Sequence, residues 1–177
     1  MKLTSSDYKE SAKLAQLAKK VDNLNAGYVN ALSDEIFQRQ PFFLTVLLGH
    51  RHDLTPEEFE EVMKIYFLTW EYFKAYGKLP AKKVTEPDFE KIQSRLIEML
   101  KHADGESNQK VNSNMYANYF EKVESKSLLA AVLFRYHNRP VLMKMKEESK
   151  GIIFIGIKCF IECFENINKK IQTHNRP

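Results

Sequence analysis

Residues Thr55 to Gly77, TPEEFEEVMKIYFLTWEYFKAYG, constrain the fold more than any other stretch of the chain. The stretch carries its own start and stop. Thr55 offers a capping hydroxyl, Pro56 suits the first helical position, and Glu58 stands three residues after the cap, where a capping box wants it. Gly77 can take the left-handed turn that closes a helix, and Pro80 bars a restart. Between these signals Phe59, Val62, Met63, Tyr66, Phe67, Trp70 and Phe73 recur at helical spacing, with Ile65 and Leu68 on the flanks. After its charged first turns the helix is apolar nearly all round. That is the pattern of a segment surrounded by others, so a buried helix over 55–76 is predicted at the centre of the molecule.

The rest of the chain offers partners of the same kind. An amphipathic helix is read over 5–20 through Tyr8, Leu14, Leu17 and Val21, and its pattern continues through Leu24, Tyr28, Leu32 and Ile36 to about Arg39. Asn23, Asn25 and Gly27 weaken the middle, so a break is placed near Asn23. Gln40-Pro41 ends this run and opens PFFLTVLLG (41–49), a short helix with almost no polar face. Thr85 caps a helix from Glu86 to about Ala103 whose face is Phe89, Ile92, Leu96, Met99 and Leu100. Asp104 to Asn108 reads as a linker, and a further helix is expected over 111–123. Ser125 or Ser127 starts LLAAVLFRYH, and Asn138-Arg139-Pro140 breaks it. A short helical segment is read over 141–149, and Gly151 is placed before a last helix, roughly 152–172. Its IIFIGI start leaves a strand open over 152–157, since β-branched residues suit either.

Only 6 Gly and 6 Pro in 177 residues are too few for a turn-rich β fold. The expected class is therefore all-α: an irregular bundle of about seven or eight helices around 55–76, in one domain over 1–177. A division into two sub-bundles, if present, falls near 104–109. FLTVLLGH and AAVLFRYH both end an apolar helix at a histidine, a weak echo between the halves that falls short of a repeat signature.

Charge and cysteine usage narrow the setting. A net charge of +4 with dispersed lysines makes nucleic acid an unexpected partner. The first ten residues lack a signal-peptide core, and the longest apolar run, Ile152 to Phe164, is cut by Lys158 and Glu162 and is too short to span a bilayer. A cytoplasmic location without membrane association is expected. Cys159 and Cys163 share a helix face beside Phe160 and Phe164 and read as core, not as a metal or redox pair.

Concentrated polar chemistry occurs at one place, His50-Arg51-His52-Asp53 with Glu57 and Glu58 one turn on. His50, His52, Asp53 and Glu57 together offer nitrogen and oxygen ligands of a kind zinc or iron accepts. His52-Asp53 copies the letters of a metal-phosphohydrolase dyad, but that chemistry needs a histidine upstream and His50 is the first in the chain. The same letters also fit solvated helix ends, with cations beyond the last turn of 41–49 and glutamates at the positive end of the next helix. If the two halves pack antiparallel, His50, Arg51, His137 and Arg139 would line one end of the bundle as an anion site. No histidine has Glu three residues before it, as a di-iron bundle needs, and no phosphate loop, nucleophile elbow or HExxH occurs.

Two function classes follow. The first is a non-enzymatic interaction or adaptor module with a protein partner or self-association and no cofactor. The second is a metal- or anion-dependent enzyme or small-ligand binder at the His50–Asp53 loop.

Overall fold

A computed structural model describes residues 5–105 and 123–174 of the chain. They form eight α-helices, and no strand occurs among the described residues: α1 (Ser5–Asp22), α2 (Ala26–Arg39), α3 (Pro41–Gly49), α4 (Pro56–Ala75), α5 (Glu86–Gly105), α6 (Lys126–Asn138), α7 (Pro140–Lys144) and α8 (Glu147–His174), with a 3-10 turn at His50–His52. The fold is an all-α multi-helix bundle. No helix among the described residues is long and apolar enough to cross a membrane.

Helix α4 is built as its sequence requires. Thr55 accepts the Glu58 N–H at 3.2 Å, and the Glu58 carboxylate takes the Thr55 N–H at 2.9 Å, which closes the capping box. Gly77 ends the run at φ +62°. A side chain is strained in that conformation and glycine is not. Every residue from Lys64 to Phe73 is buried, and Trp70 is the largest fully buried side chain. Phe43, Tyr66, Trp70, Phe160 and Phe164 form one cluster of tilted and edge-to-face rings, with centroids 4.7 Å apart for Phe43–Phe160 and 6.3 Å for Trp70–Phe164. α8 passes α4 at Gly156, where a Cβ would stand 3.4 Å from the Tyr66 hydroxyl, about an ordinary contact.

The break between α1 and α2 falls where it is expected. Asn25 caps α2 by accepting the Tyr28 N–H at 2.9 Å. At the α2–α3 junction the buried Gln40 side chain accepts the Val84 N–H at 2.8 Å and donates to the Lys82 carbonyl at 3.0 Å. It thereby ties the α4–α5 loop to the hinge before Pro41.

Three boundaries differ from expectation. Helix α8 begins at Glu147, four residues before Gly151, which sits exposed inside it. A mid-helix glycine costs about 1 kcal/mol. The stripe Ile153, Ile157, Phe160, Ile161 and Phe164, all buried, outweighs that cost. Residues 152–157 are helical: Ile153 and Ile157, four apart, are buried, while Ile152 is 55% exposed. The segment read as 141–149 is the five-residue α7, followed by a separate start at Glu147. Helix α5 runs on through Asp104 to Gly105, so these two extend the helix and do not begin a turn. Residues 106–108 of the expected linker, and the helix expected over 111–123 up to residue 122, lie outside the described residues.

At the start of α6 the Ser125 hydroxyl makes no cap. The Glu165 carboxylate, arriving from α8, accepts the Ser125 N–H at 2.8 Å and the Glu124 N–H at 3.2 Å instead. A helix start is thus satisfied across the bundle.

Candidate functional site

The His50–Asp53 loop holds one engaged residue and three exposed ones. His50 lies at the end of α3 with Nε2 3.0 Å from the Tyr66 hydroxyl. Burial lowers its pKa below the ordinary 6.5, and nearby Asp53 opposes that shift more weakly. Arg51, His52 and Asp53 are exposed, as is Glu57 on the first turn of α4. Among the described residues no group of three or more His, Cys, Asp and Glu side chains could hold a metal ion.

The second pair in the anion-site reading has other neighbours. His137 is exposed and lines a shallow cavity with Glu147 and Lys150. Arg139 bonds Asp22 on α1, and its Nε stands 3.9 Å from Glu61. Burial raises the pKa of Tyr66, the partner of His50, and nearby Tyr136 adds to that shift more weakly. The two histidine loops therefore share a neighbourhood, while His50 and Arg139 engage different groups.

The thiols are held inert. Burial pushes both Cys159 and Cys163 up to about 12, far from the range of a nucleophilic or metal-binding thiolate.

A site the sequence did not reveal lies between α1 and α6. The two helices run side by side in the same direction. At one end Glu10 of α1 accepts from Ser127 at the start of α6, at 3.2 Å, and from Tyr72 of α4. At the other end Asp22 of α1 accepts from Arg135 Nη1 at 2.9 Å and from Arg139, both beyond the middle of α6. Between these clamps is an open trough of about 700 Å³, floored by Leu14 and Leu68 and walled by Ala15, Ala18, Ala130 and Ala131. Its width follows from the wall residues: alanines leave space that longer side chains would fill. Phe134 stands on the rim, 66% exposed.

The Asp22 end is charged and incompletely satisfied. The Arg135 side chain is only 5% exposed; burial lowers its pKa, and Asp22 works against that. Its Nε donor has no acceptor among the described residues, and neither does the Glu61 Oε2 acceptor have a donor. One sequence signal could have flagged this end: Arg135 interrupts the apolar run LLAAVLFRYH on its buried face.

No protein-family model, curated protein or solved structure matches this chain.

Proposed function

We propose that this chain is a non-enzymatic binding module, and that it works by holding a small elongated molecule with an apolar body in the α1–α6 trough. This keeps the non-enzymatic class expected from the sequence but replaces the expected protein partner with a small molecule. The observation that carries the proposal is an open trough of about 700 Å³ with an alanine- and leucine-lined interior. That is within the range of small-molecule sites, which are concave, mainly apolar and marked by a few polar groups. The clamps support it further. They fix both walls with the chain's own side chains, so the trough does not need an occupant to hold its shape.

The test is a titration with Nile red, a neutral dye that brightens on leaving water. The wild type is expected to bind one equivalent saturably. Ala15→Trp on α1 and Ala131→Trp on α6 each fill the trough from one wall and should abolish that site while the unfolding midpoint stays within a few degrees. A wild type that binds no dye, or two folded tryptophan variants that bind it as the wild type does, would overturn the proposal.

A further inference from the structure

We infer that the occupant of the trough is an anionic amphiphile, a carboxylate or similar acid on an apolar chain, with its head at the Asp22 end beside Lys19 and Arg139. This rests on the binding role proposed for the trough. It follows from how charge is distributed along the lining. At the Glu10 end the lining carries no cation: its polar residues are Ser11 and Ser127. At the Asp22 end it offers three cations, Lys19, Arg135 and Arg139, against the single carboxylate of Asp22.

The Asp22 carboxylate is spoken for on both oxygens: Arg135 takes one and Arg139 the other. Glu61 lies behind this cluster, and its other oxygen is held by Lys64 at 2.8 Å. Lys19 is therefore the cation most open to a ligand, while Arg139, shared between Asp22 and Glu61, offers only its solvent-facing side. The Lys19 ammonium is exposed and has no acceptor among the described residues, and Arg139 keeps 38% of its side chain in solvent. Arg135 adds a buried donor, Nε, that Asp22 does not reach.

One effect opposes an anion here. α1 and α6 both end at this end of the trough, and helix C-termini carry roughly half a negative charge each. The full charge of Lys19, which no carboxylate among the described residues pairs, stands against these partial ones, which fall off within a turn and are screened by salt. The trough is also long enough for an extended chain. From Ser11 to Asp22 the α1 wall spans about 16 Å at 1.5 Å per residue.

Dodecanoate, dodecanol and dodecyltrimethylammonium share one tail and differ in head charge. Each is titrated against bound Nile red below its micelle concentration. Dodecanoate is expected to displace the dye at least tenfold more tightly than the ammonium, with the alcohol between. Lys19→Gln, an exposed position whose change leaves both clamps intact, should cut the preference for dodecanoate about tenfold and leave the alcohol unchanged. Arg139→Gln should also cut the preference for dodecanoate, and because it loosens the Asp22 clamp its effect is read as the ratio of dodecanoate to dodecanol affinity. Three amphiphiles displacing the dye equally, or a preference that survives both substitutions, would overturn the anionic head while leaving the trough as a binding surface. If none of the three displaces dye that the tryptophan variants exclude, the amphiphile is wrong. Displacement by an amphipathic peptide alone would then assign the trough to a protein segment.

Discussion

Toward α3 and α8, helix α4 presents Tyr66, Trp70 and Phe73 to Phe43, Phe160 and Phe164, whose rings meet edge to face or tilted. Toward α1 and α2 the same helix presents Glu71 and Tyr72. Glu71 is nearly fully buried, yet it accepts from Tyr28 at 2.7 Å and Lys20 at 2.8 Å. The first side is held by dispersion and the removal of apolar area from water, which is strong and tolerant of direction. The second adds directional polar pairs between helices far apart in sequence to the buried Leu14, Val21, Leu32 and Ile36 of α1 and α2. It leaves a trough of about 700 Å³ between α1 and α6. One helix thus carries a close-packed aromatic side and, on its other side, a clamped and open one.

The comparison can be broken first on the aromatic side. Trp70→Ala should cost about 3–5 kcal/mol in urea unfolding, because a fully buried indole leaves a large void. A loss under about 1 kcal/mol would mean that this side is not the main source of stability. On the clamped side Asp22→Asn should cost about 2 kcal/mol, the scale of hydrogen bonds to charged groups, reduced by the partial exposure of Asp22. A double-mutant cycle with Arg135→Met should show strong coupling between the two. Additive losses would remove the clamp from the account. A smaller effect tests the entry of α4. Thr55→Ala should cost about 1 kcal/mol through the capping box alone, read from the same urea titration, without changing dye binding in the trough.

The smallest effect is a pH dependence at His50. Its folded pKa is lowered, so the native state favours the neutral ring. The stability it contributes is complete above the unfolded value of 6.5 and is lost as pH falls through the lower folded value. The wild type should therefore lose stability more steeply than His50→Gln below about pH 6.5, measured as urea midpoints across that range. Parallel curves would show that the contact with Tyr66 carries no such linkage.

The elements legible in the sequence are those set by local signals. The cap, proline and glycine around α4 and the asparagine cap of α2 act within a few residues, and each is found in place. The start of α8 was obscured because Gly151 mimics a boundary, while the true signal, Glu147-Glu148 in the first turn, is weak by comparison. The trough was illegible for a different reason. Glu10 and Asp22 look like ordinary surface charges on an amphipathic helix. Their roles exist only once Ser127, Arg135 and Arg139 arrive from the far end of the chain. His50 was legible as a concentration of polar chemistry, but its engagement with Tyr66 depends on how α3 folds back on α4.

The clamps also set an order of assembly. Asp22 and Arg135 are 113 residues apart, and Glu10 and Ser127 are 117 apart. At about 5–20 residues per second of synthesis, α1 waits roughly 6 to 23 seconds for its parallel neighbour. Its nearer partner, α4, arrives sooner: Lys20 and Glu71 are separated by 51 residues. α1 can thus settle on α4 while α6 is still unmade, with Leu14, Ala15 and Ala18 uncovered on one flank. During that interval the first wall of the trough is an open apolar surface on a growing chain, and the arrival of Arg135 and Arg139 brings in the second wall and narrows that surface to a trough.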